Sequence, residues 1–143
     1  MDSITIKQLV TDEEWIFAYE IMKQLRTDLT LERYMKLAHD MRQDGYLLFA
    51  LFVKDEIVSL AGVRESINFY NKHHLYVYDL LTLPSYRSKG YGEQLLKHIH
   101  FYAKSVGAEY VALESGITRN EAHRFYEQKL GYEKWCYSFR KKM

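Results

Sequence analysis

The sequence predicts an α/β fold, a mixed β-sheet covered by helices, with elements in the order β-α-α-β-β-β-α-β-α-β. Three observations predict it. Apolar runs of strand length alternate with stretches whose apolar residues recur every three or four positions. The single proline, Pro84, and the pair Gly90 and Gly92 mark one sharp strand-to-helix transition. At 143 residues the chain has the length of one domain with a core of its own, so residues 1–143 are expected to form a single domain.

The elements follow in order. Ile4 to Val10 (ITIKQLV) alternates like a strand, and the stretch after it to Arg26 has helical spacing through Trp15, Tyr19, Met22 and Leu25. A second helix is expected from about Leu31 to Arg42, with Tyr34, Leu37, Ala38 and Met41 on one side. YLLFALFV and IVSLAGVRES read as two strands joined by the polar turn Lys54-Asp55-Glu56, an antiparallel hairpin. NFYNKHH reads as a loop, and Leu75 to Leu83 as a third apolar strand stopped by Pro84. From Glu93 to Val106 an amphipathic helix shows Leu95, Leu96, Ile99, Tyr102, Ala103 and Val106 on one face and ends at Gly107. AEYVALES is a short strand. TRNEAHRFYEQKLG is a helix with Thr118 and Glu121 as a capping-box pair and Gly131 as its stop, and YEKWCYSF is a closing strand.

Composition excludes several classes. Hydrophobic residues make up 48% of the chain, which sets aside disordered and fibrous proteins. One cysteine, Cys136, gives neither an internal disulfide nor a zinc-ligand spacing, and no metal site is expected. His73-His74 lacks the acidic or cysteine partners a metal would need. The N-terminal stretch carries Asp2, Lys7, Glu13 and Glu14, unlike a leader peptide, and the longest apolar run, Tyr46 to Val53, is too short to span a bilayer. The expected location is cytoplasmic.

The net charge of +1 points to neither nucleic acid nor a membrane surface. Its distribution is uneven: residues 1–83 hold nine Lys/Arg against thirteen Asp/Glu, and residues 84–143 hold eleven against six. An anionic ligand is drawn to the second part, although scatter over solvated faces accounts for the asymmetry equally well.

Tyr86 to Leu96, YRSKGYGEQLL, places two glycines and two cations just before a helix. A strand, a turn of small and basic residues and a helix start leave several backbone N–H groups at the positive end of a helix dipole, where phosphate binds. Gly90 and Gly92 allow close approach of the backbone, and Arg87 and Lys89 add charge. The spacing fits neither a Walker loop nor the dinucleotide fingerprint, whose third glycine position is Leu95 here. A tight structural turn would use the same glycines.

Arg87-Ser88-Lys89-Gly90-Tyr91-Gly92 fits Arg/Gln-x-x-Gly-x-Gly/Ala. With DLLTLPSYR before it and NEAHRFYEQKLGY after it, the chain resembles the GCN5-related N-acetyltransferase (GNAT) superfamily. The likeness covers the element order over nearly the whole chain and is sharpest from about Val77 to Tyr132. It implies an acetyl-CoA-dependent N-acetyltransferase with acetyl-CoA as cosubstrate. Residues Arg87, Ser88, Lys89, Gly90, Tyr91 and Gly92 would hold the pyrophosphate, and the strand through Leu81, Thr82 and Leu83 would pair with the pantetheine arm. Tyr126 would assist the leaving thiol, and Asn120 matches a position that often contacts the cofactor. Only eleven residues follow Tyr132, room for one strand where many relatives close with a hairpin.

The chemistry requires a proton acceptor. An amine of pKa near 10.4 is neutral about once in two thousand molecules at pH 7, a handicap of roughly 4 to 5 kcal/mol. Asp79 and Glu114 are the favoured acceptors, through water if need be, with Glu65 more distant. Each carboxylate could instead pair with an arginine. A backbone N–H near Leu81 would stabilise the oxyanion if the strand bulges there. His123, one turn before Tyr126, could touch cofactor or acceptor. The expected partner is a small-molecule amine lined by residues 12–43 and by the loop Asn68 to His74, with no nucleic acid or membrane partner and a monomer or homodimer as the assembly. A non-catalytic acyl-CoA sensor and a nucleotide-binding module are the alternatives of other classes.

Overall fold

A computed structural model describes residues 3–114, 122, 124–134 and 138–143. The chain divides into two compact units, residues 1–112 and 113–143, and each is described by itself.

In the first unit, β1 (Ile4–Leu9) leads to α1 (Asp12–Leu25) and α2 (Leu31–Gln43). Thr11 caps α1 through its hydroxyl, which accepts from the Glu14 amide, while Glu14 accepts from the Thr11 amide, a reciprocal capping box. Thr30 caps α2 through its hydroxyl, which accepts from the Arg33 amide at 3.1 Å without a reciprocal partner among the described residues. β2 (Leu47–Val53), β3 (Glu56–Asn68) and β4 (Lys72–Thr82) follow. Pro84–Tyr86 forms one 3-10 turn, and α3 (Tyr91–Ser105) crosses back to β5 (Tyr110–Leu113), the last strand in the spatial order β1-β2-β3-β4-β5.

β1 to β4 pair antiparallel, as an unbroken apolar hairpin such as β2-β3 requires. Both faces of β2 and β3 are covered. Leu48, Ala50 and Leu60 meet Trp15, Ala18 and Met22 of α1 and Tyr34 and Ala38 of α2. On the opposite face Phe49 stacks on Tyr102 of α3, ring centroids 5.5 Å apart. Leu95, Leu96 and Ile99 of α3 are fully buried, each worth about 2 kcal/mol over exposure.

Three of the tyrosines form a chain of ring contacts with Trp15. Trp15 lies 5.7 Å from Tyr46, Tyr46 lies 6.2 Å from Tyr78, and Tyr78 lies 4.6 Å from Tyr76. The hydroxyls that reach inside find acceptors, Tyr34 on the Trp15 carbonyl and Tyr19 on the Leu29 carbonyl.

One boundary differs from the sequence expectation. The segment read as a loop over Asn68 to His74 is mostly strand, because Asn68 pairs with Lys72, Ile67 with His73 and Ser66 with His74. The turn is closed locally instead, by the Asn68 side chain accepting from the Asn71 amide. His74 is buried, and His73 faces Glu65 at 2.9 Å.

In the second unit, Phe125–Lys129 forms a π-type turn. Gly131 adopts φ 73, the left-handed stop its position predicted, and the Tyr132 amide returns to the Tyr126 carbonyl at 2.8 Å. The helix start at Thr118 and Glu121 lies outside the described residues, as does part of the closing strand, residues 135–137. The described residues 131–134 and 138–143 are not in strand.

Candidate active site

The turn singled out in the sequence leads out of β4. The Tyr86 amide donates to the Leu83 carbonyl at 2.9 Å, and Arg87 follows in extended conformation. The chain turns left-handed at Ser88 (φ 62) and again at Gly90 (φ 83), which is the N-cap of α3. Glycine adopts that conformation freely, whereas Ser88 bears a strain of about 1 to 2 kcal/mol. Gly90 has no side chain to cap the helix, and the Gln94 amide bonds back to its carbonyl at 3.0 Å. The amides of the first turn therefore point out of the helix start, with the positive end of its dipole behind them.

Space there is open. A Cβ built on Gly90 meets nothing within 4 Å among the described residues, while one on Gly92 would lie 3.2 Å from Thr82 Oγ1. Gly92 thus lets α3 start close against the end of β4. Arg87, Ser88 and Lys89 are exposed, with the Arg87 Nε donating to the Thr82 carbonyl at 3.3 Å and Lys89 over the Tyr86 ring. The Tyr91 ring is tilted against that of Tyr86, their centres 6.1 Å apart. A cationic, glycine-lined helix start of this kind binds phosphate groups.

β4 itself is fixed from β3. The fully buried Ser59 hydroxyl donates to the Leu81 carbonyl at 2.8 Å and sits 3.0 Å from Thr82 Oγ1, and the Leu83 amide donates to the Val58 carbonyl. The bulge is not at Leu81, where the register with β3 is regular. It is at Tyr78, the extra residue between the pairs Val63–Val77 and Gly62–Asp79. The cause lies across the ladder. Gly62 has no side chain, and the Tyr46 hydroxyl fills its space to reach Asp79, donating to Oδ2 at 2.5 Å.

Asp79 is buried beside the bulge and holds two groups. Arg26, the C-cap of α1, donates to Asp79 Oδ1 from Nε at 3.0 Å and from a terminal nitrogen at 2.8 Å, and to the Tyr78 carbonyl at 2.9 Å. Burial, then the charge of Asp79, pushes the Tyr46 hydroxyl well above its ordinary pKa, so it stays protonated.

Next to this cluster opens a cleft of about 140 Å³ lined by Met41, Asp44, Tyr46, Arg64 and Tyr78. The Arg64 guanidinium lies 5.8 Å from the Tyr78 ring centre and 3.3 Å from Asp44, and its Nε is buried without a partner among the described residues. Sequence reasoning passed over Arg26, Tyr46, Arg64 and Tyr78. The one local signal was Gly62 inside an otherwise bulky strand, a mark of close approach by another group.

In the second unit, Glu114 is exposed and accepts from Arg140 at 2.9 Å. Tyr126 is half-buried, its ring 5.5 Å from Phe125 and 5.7 Å from Tyr132. Burial raises the Tyr132 hydroxyl pKa, with Tyr126 adding to the effect. Asn120, His123 and Cys136 lie outside the described residues.

The model of the acetyltransferase (GNAT) family matches residues 10–132. The chain belongs to that family. It is 40% identical over 139 residues to an uncharacterized N-acetyltransferase, YhdJ, of Bacillus subtilis (strain 168), covering 96% of this chain and 98% of the relative. It is 30% identical over 87 residues to an aminoalkylphosphonate N-acetyltransferase of Salmonella typhimurium, covering 60% of this chain and 56% of that protein. Among solved structures, the aminoglycoside N-acetyltransferase AAC(6')-Iy in complex with CoA superposes with a TM-score of 0.86 at 17% identity, over 100% of this chain and 97% of that one. At that identity the likeness establishes the fold. The chain is therefore an N-acetyltransferase with acetyl-CoA as cosubstrate.

Proposed function

We propose that this enzyme acetylates the primary amine of a small molecule by direct attack in a ternary complex with acetyl-CoA. The observation that carries the reading is the helix start at Gly90, an uncapped left-handed turn flanked by Arg87 and Lys89. Amides around Ser88 to Gly92 would take the diphosphate, and Leu81, Thr82 and Leu83 the pantetheine arm. Aminoglycosides and aminoalkylphosphonates, acceptors named for relatives, belong among the amines to try.

The acceptor must lose a proton before its nitrogen attacks the thioester carbon. Asp79 is the acceptor of choice in the first unit. Its Oδ2 accepts a hydrogen bond from the Tyr46 hydroxyl, and Tyr46 is among the residues that line the cleft, so an amine proton would pass to the Tyr46 oxygen as the phenol proton moves to Asp79. Glu114 is the second candidate, through water. As the C–N bond forms and the C–S bond breaks, the thiolate leaves and takes the Tyr126 phenol proton, while the surplus proton on the new amide nitrogen goes to water and the phenolate is restored from solvent. A thiol pKa near 8.5 against a phenol near 10 makes that transfer uphill by about 2 kcal/mol, within reach of catalysis. Use of acetyl-CoA supports a cytoplasmic location for the enzyme.

Thiol release from acetyl-CoA with a panel of amines tests the reading. Turnover with a small amine, slowed but not abolished by Tyr126→Phe, supports it. Stabilisation by CoA with no thiol release for any amine would leave a non-catalytic acyl-CoA sensor in its place. Stabilisation by ATP or NAD instead of CoA would remove both, since a ligand at a hundred times its Kd adds about 2.7 kcal/mol.

A further inference from the structure

We infer that Arg64 selects an acceptor carrying an oxyanion, a carboxylate or a phosphonate, at the end of the molecule away from its amine. This rests on the reading of the chain as an acetyltransferase of small amines and adds the chemistry of the acceptor. Among the described residues, the cleft beside the Tyr78 bulge is lined by the aromatic Tyr46 and Tyr78, by Met41, by the acid Asp44 and by one cation, Arg64. That cation is poorly matched by the protein. Its ion pair is a single 3.3 Å contact to Asp44, whose side chain is 77% exposed, whereas its own is 32% exposed. An ion pair so open to water contributes little and exchanges readily. The Nε is covered by its surroundings and bonds to nothing among the described residues, which a folded chain tolerates only at a cost.

Arg26, the neighbouring cation, differs in each respect. It forks onto the buried Asp79 and onto the Tyr78 carbonyl, so its donors are committed to holding the bulge. Arg64 is left as the group able to turn its fork to a ligand, since guanidinium matches a planar or tetrahedral oxyanion through two parallel N–H donors. An anion there exchanges one carboxylate partner, Asp44, for a better one. The size of the cleft fits an acceptor of few heavy atoms, because sites that enclose drug-sized ligands begin at about 300 Å³. A polycation would meet Arg64 as a like charge.

Four probes of similar length decide: 3-aminopropylphosphonate, 4-aminobutyrate, butylamine and 1,4-diaminobutane, each with acetyl-CoA. The acidic amines are expected to exceed butylamine in kcat/KM by about 10- to 100-fold, the range of a charge-assisted hydrogen bond or two. Arg64→Gln should erase that advantage mainly through KM, and Arg64→Lys should restore part of it. Equal or better turnover of butylamine or the diamine overturns the inference, as does an equal loss for all four probes in Arg64→Gln. Calorimetric titration of the CoA-bound protein with 3-aminopropylphosphonate reads Arg64 without turnover. Binding lost in Arg64→Gln supports the inference even if no acetyl transfer occurs, an outcome that strikes the transferase reading alone. No binding, or binding unchanged in the variant, overturns it.

Discussion

The Tyr46 hydroxyl occupies the space that a side chain on Gly62 would need, 1.5 Å from where its Cβ would stand. The phenol ring cannot retreat, being packed between Trp15 and Tyr78. Gly62→Ala is therefore an overpacking change at a buried site, expected to cost about 2 to 3 kcal/mol. It should also detach Tyr46 from Asp79. Urea unfolding checks the first effect; a cost below about 0.5 kcal/mol would mean that the ring moves freely after all.

Arg26 and Asp79 come together from positions 53 residues apart. Removing the cation strands a nearly buried carboxylate, which in a closed interior costs about 3 to 5 kcal/mol. Arg26 is about half exposed, so water replaces part of what is lost, and Arg26→Ala should cost about 1 to 2 kcal/mol. Arg26→Lys keeps the charge and loses the fork, giving a smaller loss. A double-mutant cycle with Asp79→Asn should show coupling of about 1 kcal/mol, while purely additive losses would show that the contact contributes nothing to stability.

Gly90 and Gly92 should respond differently to alanine. At Gly90 the added methyl has room, so the cost is the left-handed conformation, about 1 kcal/mol. At Gly92 the backbone is helical and the methyl meets only the Thr82 hydroxyl at 3.2 Å, so stability should fall by less than about 0.5 kcal/mol. Thermal unfolding without ligand ranks the two variants. Repeated with CoA, the rise in midpoint should shrink most in Gly90→Ala, whose methyl enters the open space at the helix start, and less in Gly92→Ala, whose methyl faces Thr82.

What could be read from the sequence was local. The α3 start, the β2-β3 hairpin and the Gly131 stop each depend on a few adjacent residues whose conformational demands are written in the chain. His73 and His74 looked like loop because the β3-β4 ladder that orders them is formed with Ile67 and Ser66, beyond any local pattern. The sequence showed no bulge, and only the resemblance raised one near Leu81; the irregularity of the β3-β4 ladder lies at Tyr78, across from Gly62, whose space is taken by Tyr46, a residue outside that ladder. The cleft was hidden for the same reason: Met41, Asp44, Tyr46, Arg64 and Tyr78 are brought together by pairing and helix packing. Charge and period-two patterning could not distinguish Arg64 from any other arginine on a strand.

Glu14 gives the enzyme a measurable acid sensitivity. Its carboxylate accepts from the Thr11 and Val10 amides and pairs with Lys7 at 3.0 Å, and these contacts, led by the Thr11 amide, lower its pKa from 4.5 to about 2. A carboxylate depressed on folding stabilises fully above its unfolded pKa of 4.5 and loses that contribution as pH falls toward 2. Glu14→Gln should cost about 0.5 to 1 kcal/mol at pH 7. Its stability should then vary less with pH between 4.5 and 2, so that the two proteins converge at the acid end. Thr11→Ala removes the neutral half of the same box and should cost about 1 kcal/mol, with most of the loss persisting in acid. Parallel curves for Glu14→Gln and the parent across that window would show that the capping carboxylate is not held as the geometry indicates.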